Sequence, residues 1–281
     1  MGQASKAEVD KILTYAVEQG IRVLDTAPTY GNSEAILGEL LPSSHNFQIV
    51  TKTRPCICTR VTSNWRKHVT DTFYRSLETL RQTKLYGLLV HHTDDLFLPG
   101  GEVMIDALCD IKAEGLVEKI GVSIYTGEQI DAIVRKFMPD LVQVPINILD
   151  QQLVQSGYLQ QLAAAGVEIH ARSVFLQGLL LLNADKLPAY FDPIKDHLQS
   201  LRRELDARGV SRLTAALDFV LRQAEIGTAL VGVATLTELV EVVSALSSLP
   251  LSAMDYSRWA QSDGSFLNPS EWKVAHVVAV T

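Results

Sequence analysis

The segment IRVLDTAPTYGNSEAILGELL (residues 21–41) has the hydrophobic pattern of a strand followed by a helix. It begins with a short apolar run over residues 21–26, continues through a polar loop and ends in a helical pattern over residues 33–41. Short, nearly continuous apolar runs are typical of strands that are covered on both faces, as in parallel sheets. A strand followed directly by a helix is the repeating unit of α/β folds.

This unit repeats along almost the whole chain. Strands are predicted over residues 21–26, 47–52, 86–91, 119–124, 140–146, 167–174 and 228–233. Helices are predicted over residues 6–19, 33–41, 63–82, 102–115, 127–137, 150–165, 193–208, 211–225 and 235–247. The alternation indicates parallel strands joined by right-handed crossovers. No G-x-G-x-x-G follows the first strand, which disfavours a doubly wound dinucleotide-binding fold.

We therefore predict an α/β fold of the (β/α)8 TIM-barrel class, as a single domain over residues 1–281 with residues 250–281 as a C-terminal tail. Seven barrel strands are visible, and the first is missing from the pattern. The chain opens in a helix near Ser5, where Ser5 and Glu8 have capping-box spacing. Three explanations stay open: a translation start placed too far downstream, a partner segment that fills the gap, and a true seven-stranded variant. An unusual start is favoured.

Composition excludes several classes of partner. The chain has 281 residues and a formal net charge of −7, and its basic residues are scattered, so no basic surface for nucleic acid is expected. No apolar run reaches the about 18 residues of a membrane span, and the N-terminus lacks the order of a signal peptide. Three cysteines make no disulfide framework and favour a reduced compartment. A cytoplasmic protein that contacts neither membrane nor nucleic acid is predicted.

Four side chains fall where a parallel barrel places its chemistry, at the carboxyl ends of strands and in the loops after them. They are Asp25, Tyr30, Lys52 and His91. A free tyrosine, with a pKa of about 10, is a poor acid, but a nearby ammonium favours its phenolate and a carboxylate would hold that ammonium. A histidine would orient a carbonyl oxygen. Hydride has no side-chain source, so this chemistry calls for a nicotinamide cofactor.

Each of these residues also has a structural interpretation when taken alone. Asp25 fits a helix cap, Lys52 a solvated surface position and Tyr30 loop packing. Their joint position favours the catalytic interpretation. Cys56 and Cys58 are interpreted as loop thiols near the mouth of the site, since two cysteines without a second pair do not make a zinc site. No metal site is predicted.

Several segments resemble the aldo-keto reductases: LDTAPTYGNSEAILGELL (24–41), IVTKTR (49–54), GLLVHHTDDL (87–96), EGLVEKIGVS (114–123) and LVQVPIN (141–147). The resemblance covers residues from about 5 to 247. It implies a (β/α)8 barrel that binds NADP(H) or NAD(H) without a Rossmann domain, with Asp25, Tyr30, Lys52 and His91 as its catalytic tetrad. The implied activity is hydride transfer between the cofactor and an aldehyde or ketone, with an alcohol in the reverse direction and Tyr30 as general acid.

The resemblance also implies a set of cofactor-binding residues. Two would hold the nicotinamide carboxamide, four would wrap the cofactor after the sixth visible strand, and three lie at its adenosine-phosphate end. In that order they are Ser123 and Gln143; Arg172, Ser173, Phe175 and Gln177; and Gly232, Thr235 and Glu238.

Three positions depart from the family pattern. Ile124 and Val242 stand where asparagines are usual, and Glu238 stands where many NADP-dependent members carry a basic residue. A carboxylate repels a 2′-phosphate, which weakens the case for NADP and leaves NAD, or weak binding, open. The alternative function is a catalytically weak or inactive nicotinamide-binding barrel with a regulatory or assembly role, although the intact tetrad favours the enzyme.

Substrate choice is expected to depend on the loops 93–101 and 176–192 and on the tail. The tail aromatics Trp259, Phe266 and Trp272 are suited either to the wall of a pocket for a sugar-like or apolar carbonyl compound, or to packing on the outside of the barrel. The tail segment LNPSEWK resembles members of sugar metabolism.

Overall fold

The computed structural model describes residues 4–42, 44–183, 186–251 and 254–272. The described strands are β1 (Val23–Asp25), β2 (Gln48–Lys52), β3 (Leu85–Val90), β4 (Val117–Ser123), β5 (Leu141–Pro145), β6 (Glu168–Arg172) and β7 (Thr228–Ala229). The described helices are α1 (Lys6–Glu18), α2 (Ser33–Leu40), α3 (Asn64–Leu80), α4 (Glu102–Ala113), α5 (Gly127–Val134), α6 (Gln152–Gln155), α7 (Tyr158–Ala164), α8 (Lys195–Ala207), α9 (Arg212–Leu221), α10 (Leu236–Leu246) and α11 (Gly264–Leu267).

The seven strands follow one another in chain order in one sheet, from β1 to β7. β1 to β5 pair in parallel, with Asp25 beside Val50 and Lys52 beside Leu89. This register brings the carboxyl ends of neighbouring strands to the same edge, which is where the predicted catalytic residues lie. The approach of β5 to β4 is close at Gly121, where an added Cβ would overlap the carbonyl oxygen of Leu141.

All seven predicted strands are present, and the predicted order of elements is confirmed. β1 and β7 are shorter than predicted, with three and two residues, and they are the first and last strands of the described sheet. The single helix predicted over residues 150–165 is wrong. Gly157, with φ of 80°, adopts the left-handed conformation between α6 and α7 and divides it. From residue 4 to α1, the described chain contains no strand.

The chain divides into two compact units. The first comprises residues 1–12, 145–160 and 171–281, and the second comprises residues 13–144 and 161–170. The second holds β1 to β4 and a fully buried cluster of Val50, Leu89 and Leu141. The prediction of a single domain stays a prediction. Within the part of the chain that is described, no helix combines the length and the apolar character that crossing a membrane requires.

The turn after β5 is a buried polar structure. The Asn147 side-chain oxygen accepts hydrogen bonds from the backbone N–H groups of Leu149 and Asp150, each at 3.0 Å. Asp150 is only 6% exposed, and its burial raises the pKa of the carboxyl to about 6. The N–H of Gln152 and the charge of Arg172 oppose this rise and keep the pKa from going higher.

Asp150→Asn tests the energetic consequence of this burial. The carboxyl ionises near 3.8 in the unfolded chain and near 6 in the folded one. The unfolded state therefore loses its proton first, and the free energy of unfolding falls as the pH rises from about 4 to about 6 and then levels off. Asparagine has no such titration.

We expect the difference in unfolding free energy between the variant and the unchanged protein to shift by roughly 2 kcal/mol, in favour of the variant, between about pH 4.5 and pH 7. Urea unfolding at the two pH values measures this. Asp10→Asn, at an exposed position, is the matched control for the removal of one carboxylate charge. The same difference for Asp150→Asn at both pH values would contradict the assignment.

Candidate active site

A buried ammonium group lies at the carboxyl end of β2. The Lys52 side chain is 1% exposed, and its Nζ donates to Asp25 Oδ2 at 2.6 Å and to the carbonyl oxygen of Thr26 at 3.1 Å. Burial of a charge is costly unless the charge is paired and hydrogen-bonded. Asp25, at the end of the neighbouring strand β1, supplies the opposite charge.

Gln143 of β5 completes this arrangement. Its side-chain amide donates to Asp25 Oδ1, so both carboxylate oxygens of Asp25 are engaged. Gln143 is buried, and its backbone carbonyl oxygen accepts from the Ile124 N–H at 3.0 Å. The sequence pointed to Gln143 as a cofactor ligand; the structure places it beside the predicted catalytic carboxylate.

Tyr30, in the loop after β1, extends the cluster toward solvent. It is 44% exposed, and Lys52 Nζ lies 4.9 Å from its ring centroid. Its ring also contacts the His91 ring edge-to-face, with 5.7 Å between centroids. The structure thus brings together the four residues predicted from strand ends.

Two threonines that the sequence analysis did not single out hold His91. Thr29 Oγ1 lies 3.4 Å from His91 Nδ1, and the His91 N–H donates to Thr53 Oγ1 at 3.3 Å. Both threonines belong to the quoted segments, but nothing in their local pattern indicated a contact with His91. Ser123, at the end of β4, is buried and its carbonyl oxygen accepts from Thr93 Oγ1 at 2.7 Å.

The predicted cofactor-wrapping segment begins at Arg172, at the end of β6, and lies in the unit that contains residues 171–281. Arg172 Nη1 donates to Ser173 Oγ at 3.3 Å. Ser173, Leu176 and Gln177 have φ angles of 59°, 46° and 51°. Residues other than glycine rarely adopt this left-handed backbone conformation, and such backbone strain is concentrated at functional sites. The carbonyl oxygen of Ser173 accepts from Asn147 Nδ2 at 3.2 Å.

The same unit holds a cavity of about 350 Å³. Three predicted cofactor residues line it, Phe175, Gly232 and Glu238. Apolar side chains such as Leu213 and Val242 form part of its wall, together with the carboxylate of Glu241. The cation in this lining is Arg212, which donates to Asn183 Oδ1 at 2.9 Å and to the carbonyl oxygen of Leu182.

Thr235 and Glu238 form a capping box at the start of α10. Thr235 Oγ1 accepts from the Glu238 N–H at 3.2 Å, and Glu238 Oε2 accepts from the N–H groups of Ala234 at 2.6 Å and Thr235 at 3.3 Å. The N-terminus of a helix attracts anions through its free N–H groups and its dipole. Here the chain's own carboxylate occupies part of that position.

A second carboxylate reaches the same helix end from α1. Glu8 Oε1 accepts from the Leu236 N–H at 2.7 Å. This hydrogen bond, and to a smaller extent the one that Glu8 accepts from Lys11, holds the pKa of Glu8 below its ordinary value. The predicted capping box at Ser5 is present in one direction: Ser5 Oγ accepts from the Glu8 N–H at 3.2 Å. The Glu8 carboxylate instead serves α10, a contact that spacing along the sequence does not reveal.

The cysteine interpretation needs correction. Cys56 and Cys58 form a disulfide rather than two loop thiols, and Cys109 is a free, exposed cysteine. Composition does not predict this disulfide, because a count of three cysteines does not show that two of them lie two positions apart with their sulfurs in contact. Across the described ranges, no group of three histidine, cysteine or acidic side chains is placed to hold a metal ion.

The tail aromatics are packed against residues 189–197. Trp259 and Phe266 are buried, with Trp259 5.5 Å from the His197 ring and Phe266 6.4 Å from the Phe191 ring between centroids. The Trp272 ring lies 4.9 Å from that of Phe191. These contacts join the tail to the segment 189–197, and both interpretations of the aromatics stay predictions. Residues 252–253 and 273–281 of the tail lie outside the described residues.

The known proteins that this chain resembles include two bacterial oxidoreductases. Oxidoreductase YdhF of Escherichia coli (strain K12) is 30% identical over 221 residues, which are 73% of this chain and 71% of that protein. NADH-specific methylglyoxal reductase of the same organism is 28% identical over 190 residues, which are 61% of this chain and 57% of that protein. The match to this second relative thus spans little more than half of its length.

The structure is similar to that of aldo-keto reductase AKR11C1 from Bacillus halodurans in its holo form, with a TM-score of 0.73 and 20% identity over 96% of this chain and 90% of that one. This likeness confirms the predicted (β/α)8 fold class. The model of the Aldo/keto reductase family matches residues 1–263. With that match across most of its length, the chain belongs to the aldo/keto reductase family.

Proposed function

We propose that this chain is a nicotinamide-dependent reductase of small aldehydes or ketones, with Tyr30 as the proton donor. The observation that carries the proposal is the buried Lys52 ammonium, which is paired with Asp25 and lies 4.9 Å from the centroid of the Tyr30 ring. Family membership supports oxidoreductase chemistry in general.

The proton chemistry follows from these contacts. A cation beside a phenol favours the phenolate, which makes the phenol a stronger acid. Asp25, held by Gln143, keeps Lys52 charged and in place. Tyr30 remains exposed enough to reach a substrate carbonyl oxygen, and the neighbouring His91 ring, positioned by Thr29 and Thr53, would donate a hydrogen bond to the same oxygen.

The residues proposed to bind the cofactor have chemistry that suits a nicotinamide dinucleotide. The cavity beside Phe175 and Gly232 combines apolar walls with the carboxylates of Glu238 and Glu241, which would accept hydrogen bonds from ribose hydroxyls. The resemblance assigns the carboxamide to Ser123 and Gln143, and the wrapping segment to Arg172, Ser173 and Gln177. Bound there, the cofactor would supply the hydride that no side chain can provide.

We further propose that the cofactor is NAD(H) rather than NADP(H). Glu238 and Glu8 already accept from the N–H groups at the start of α10, the position suited to an added phosphate. Two carboxylates there would repel a 2′-phosphate, whereas a carboxylate accepts readily from a ribose hydroxyl. Arg212, the cation of the cavity lining, is engaged with Asn183 and Leu182.

The substrate is proposed as a small carbonyl compound, with the corresponding alcohol in the reverse direction and a sugar-like molecule as one class. A cytoplasmic location without membrane or nucleic acid partners completes the proposal. The alternative is a weakly active or inactive nicotinamide-binding barrel with a regulatory or assembly role. It is favoured by the buried Ile124 and by the carboxylates at α10, while the assembled tetrad favours the enzyme.

Tyr30→Phe tests the proton donor. The change removes the hydroxyl and keeps the ring, so we expect kcat for carbonyl reduction to fall by at least about 100-fold. The dissociation constant of NADH, measured by fluorescence titration, is expected to change by less than about two-fold, because the hydroxyl is not assigned to cofactor binding.

Tyr74→Phe is the matched control. Tyr74 has a similar exposure, 46%, and its hydroxyl donates to Glu114, away from the predicted tetrad. Its kcat should equal that of the unchanged protein. Turnover retained by Tyr30→Phe would remove Tyr30 from the mechanism.

Cofactor choice is tested by titrating the protein with NADH and NADPH separately. We expect tighter binding of NADH, and we expect Glu238→Gln and Glu8→Gln each to improve NADPH binding relative to NADH by about three- to ten-fold, the size of a charge effect at a helix terminus. Glu241→Gln, which changes another carboxylate of the same cavity, should have the smaller effect. Preference of the unchanged protein for NADPH would contradict the proposal, and weak binding of both cofactors would favour the alternative function.

A further inference from the structure

The Cys56–Cys58 disulfide lies in the loop between β2 and α3, shortly after Lys52. The residue between the two cysteines, Ile57, is 98% exposed. Cys58 is half-buried and Cys56 is buried, so Cys58 is the residue of the pair that a soluble thiol reaches more easily.

The segment that leads into the disulfide holds the loops of the predicted catalytic residues. Three hydrogen bonds connect it to the chain after β1 and after β3. They are Arg54 Nη2 to the carbonyl oxygen of Pro28 at 3.2 Å, the His91 N–H to Thr53 Oγ1 at 3.3 Å, and the Cys56 N–H to Asp95 Oδ2 at 2.8 Å. Pro28 precedes Tyr30 by two residues. The segment that leads into the disulfide is therefore hydrogen-bonded to the loop that contains Tyr30, to His91 and to the chain just after His91.

We propose that Cys56 and Cys58 are a thiol–disulfide exchange site that takes a small monothiol, such as glutathione, and that its redox state controls the arrangement of the predicted catalytic loops. The kinetic part of this inference rests on the proposed reductase function. The exchange site and its effect on the loops do not.

The exchange is balanced with glutathione as the reductant. A glutathione thiolate attacks Sγ of Cys58, the protein S–S bond breaks, and Cys56 leaves as a thiolate that takes up a proton. A second glutathione thiolate attacks the glutathione sulfur of the mixed disulfide and releases Cys58, which also takes up a proton. The protein gains two electrons and two protons, and two glutathione molecules become one glutathione disulfide. The reverse sequence closes the ring.

The closed ring is the state in which the site is assembled. A disulfide between residues separated by one position restricts the backbone of residues 56–58, and its opening gives that backbone more freedom. The hydrogen bonds of Arg54 and Cys56 to their neighbouring loops then lose part of their support. Since small displacements of positioned groups are costly in catalysis, reduction is expected to lower activity.

The test uses the full chain equilibrated in glutathione buffers from fully reduced to fully oxidised. Iodoacetamide labelling of the folded protein, read by mass spectrometry, should show Cys109 alone labelled at the oxidised end, and Cys58 labelled with it at the reduced end. Hydrogen exchange of the peptides around residues 28–32 and 91–96 should be faster in the reduced protein. Reduction should lower kcat/KM for carbonyl reduction by about five-fold or more, the lower end of typical coupling between sites.

Two variants separate this from a general effect of thiol reagents. Cys58→Ser prevents ring closure and should behave like the reduced protein in every buffer. Cys109→Ser, which changes the exposed cysteine of α4, should keep the full response. Absence of the disulfide in every glutathione buffer, or a disulfide whose reduction changes neither hydrogen exchange nor kcat/KM, would overturn the inference. A redox response in hydrogen exchange without turnover in either state would support the exchange site and contradict the proposed function.

Discussion

The ion pair of Lys52 and Asp25 is the interaction on which the candidate site depends. An ammonium that is 1% exposed stays in the interior only if a carboxylate and further acceptors surround it. Asp25 and the carbonyl oxygen of Thr26 meet that requirement because the parallel register of β1 and β2 sets their ends side by side. Gln143, from β5, fixes the other carboxylate oxygen. The sheet therefore positions the Lys52 ammonium, and the loop after β1 places the Tyr30 ring beside it.

The start of α10 shows a different use of charge. Carboxylates at the N-terminus of a helix stabilise it through the dipole and satisfy N–H groups that have no partner within the helix. Glu238 and Glu8 both act in this way, and Glu8 does so from α1. The same contacts remove the donors and the positive field that a phosphate would need. Under the proposed preference for NAD(H), the two side chains that stabilise this helix end would also disfavour a 2′-phosphate.

The failures of sequence analysis have specific physical causes. The helix predicted over residues 150–165 is divided because apolar periodicity continues through Gly157, while its left-handed backbone ends the helix there. The sequence favours loop thiols at Cys56 and Cys58 because two cysteines without a second pair make no zinc site, whereas the fold of the loop brings the two sulfurs together. Thr29 and Thr53 were not identified as supports for His91, since a threonine in a loop has no pattern that marks its contact.

The order of the seven strands and their helices, and the residues at the strand ends, can be predicted from the sequence, because periodicity and strand termination are local properties of the chain. The tertiary structure alone decided which of those residues meet. Gln143 reaches Asp25 across 118 positions and Glu8 reaches Leu236 across 228, and no local pattern encodes such a pairing. The left-handed backbone at Ser173, Leu176 and Gln177 is likewise a tertiary result, since residues other than glycine adopt it only where surrounding contacts compensate for the strain.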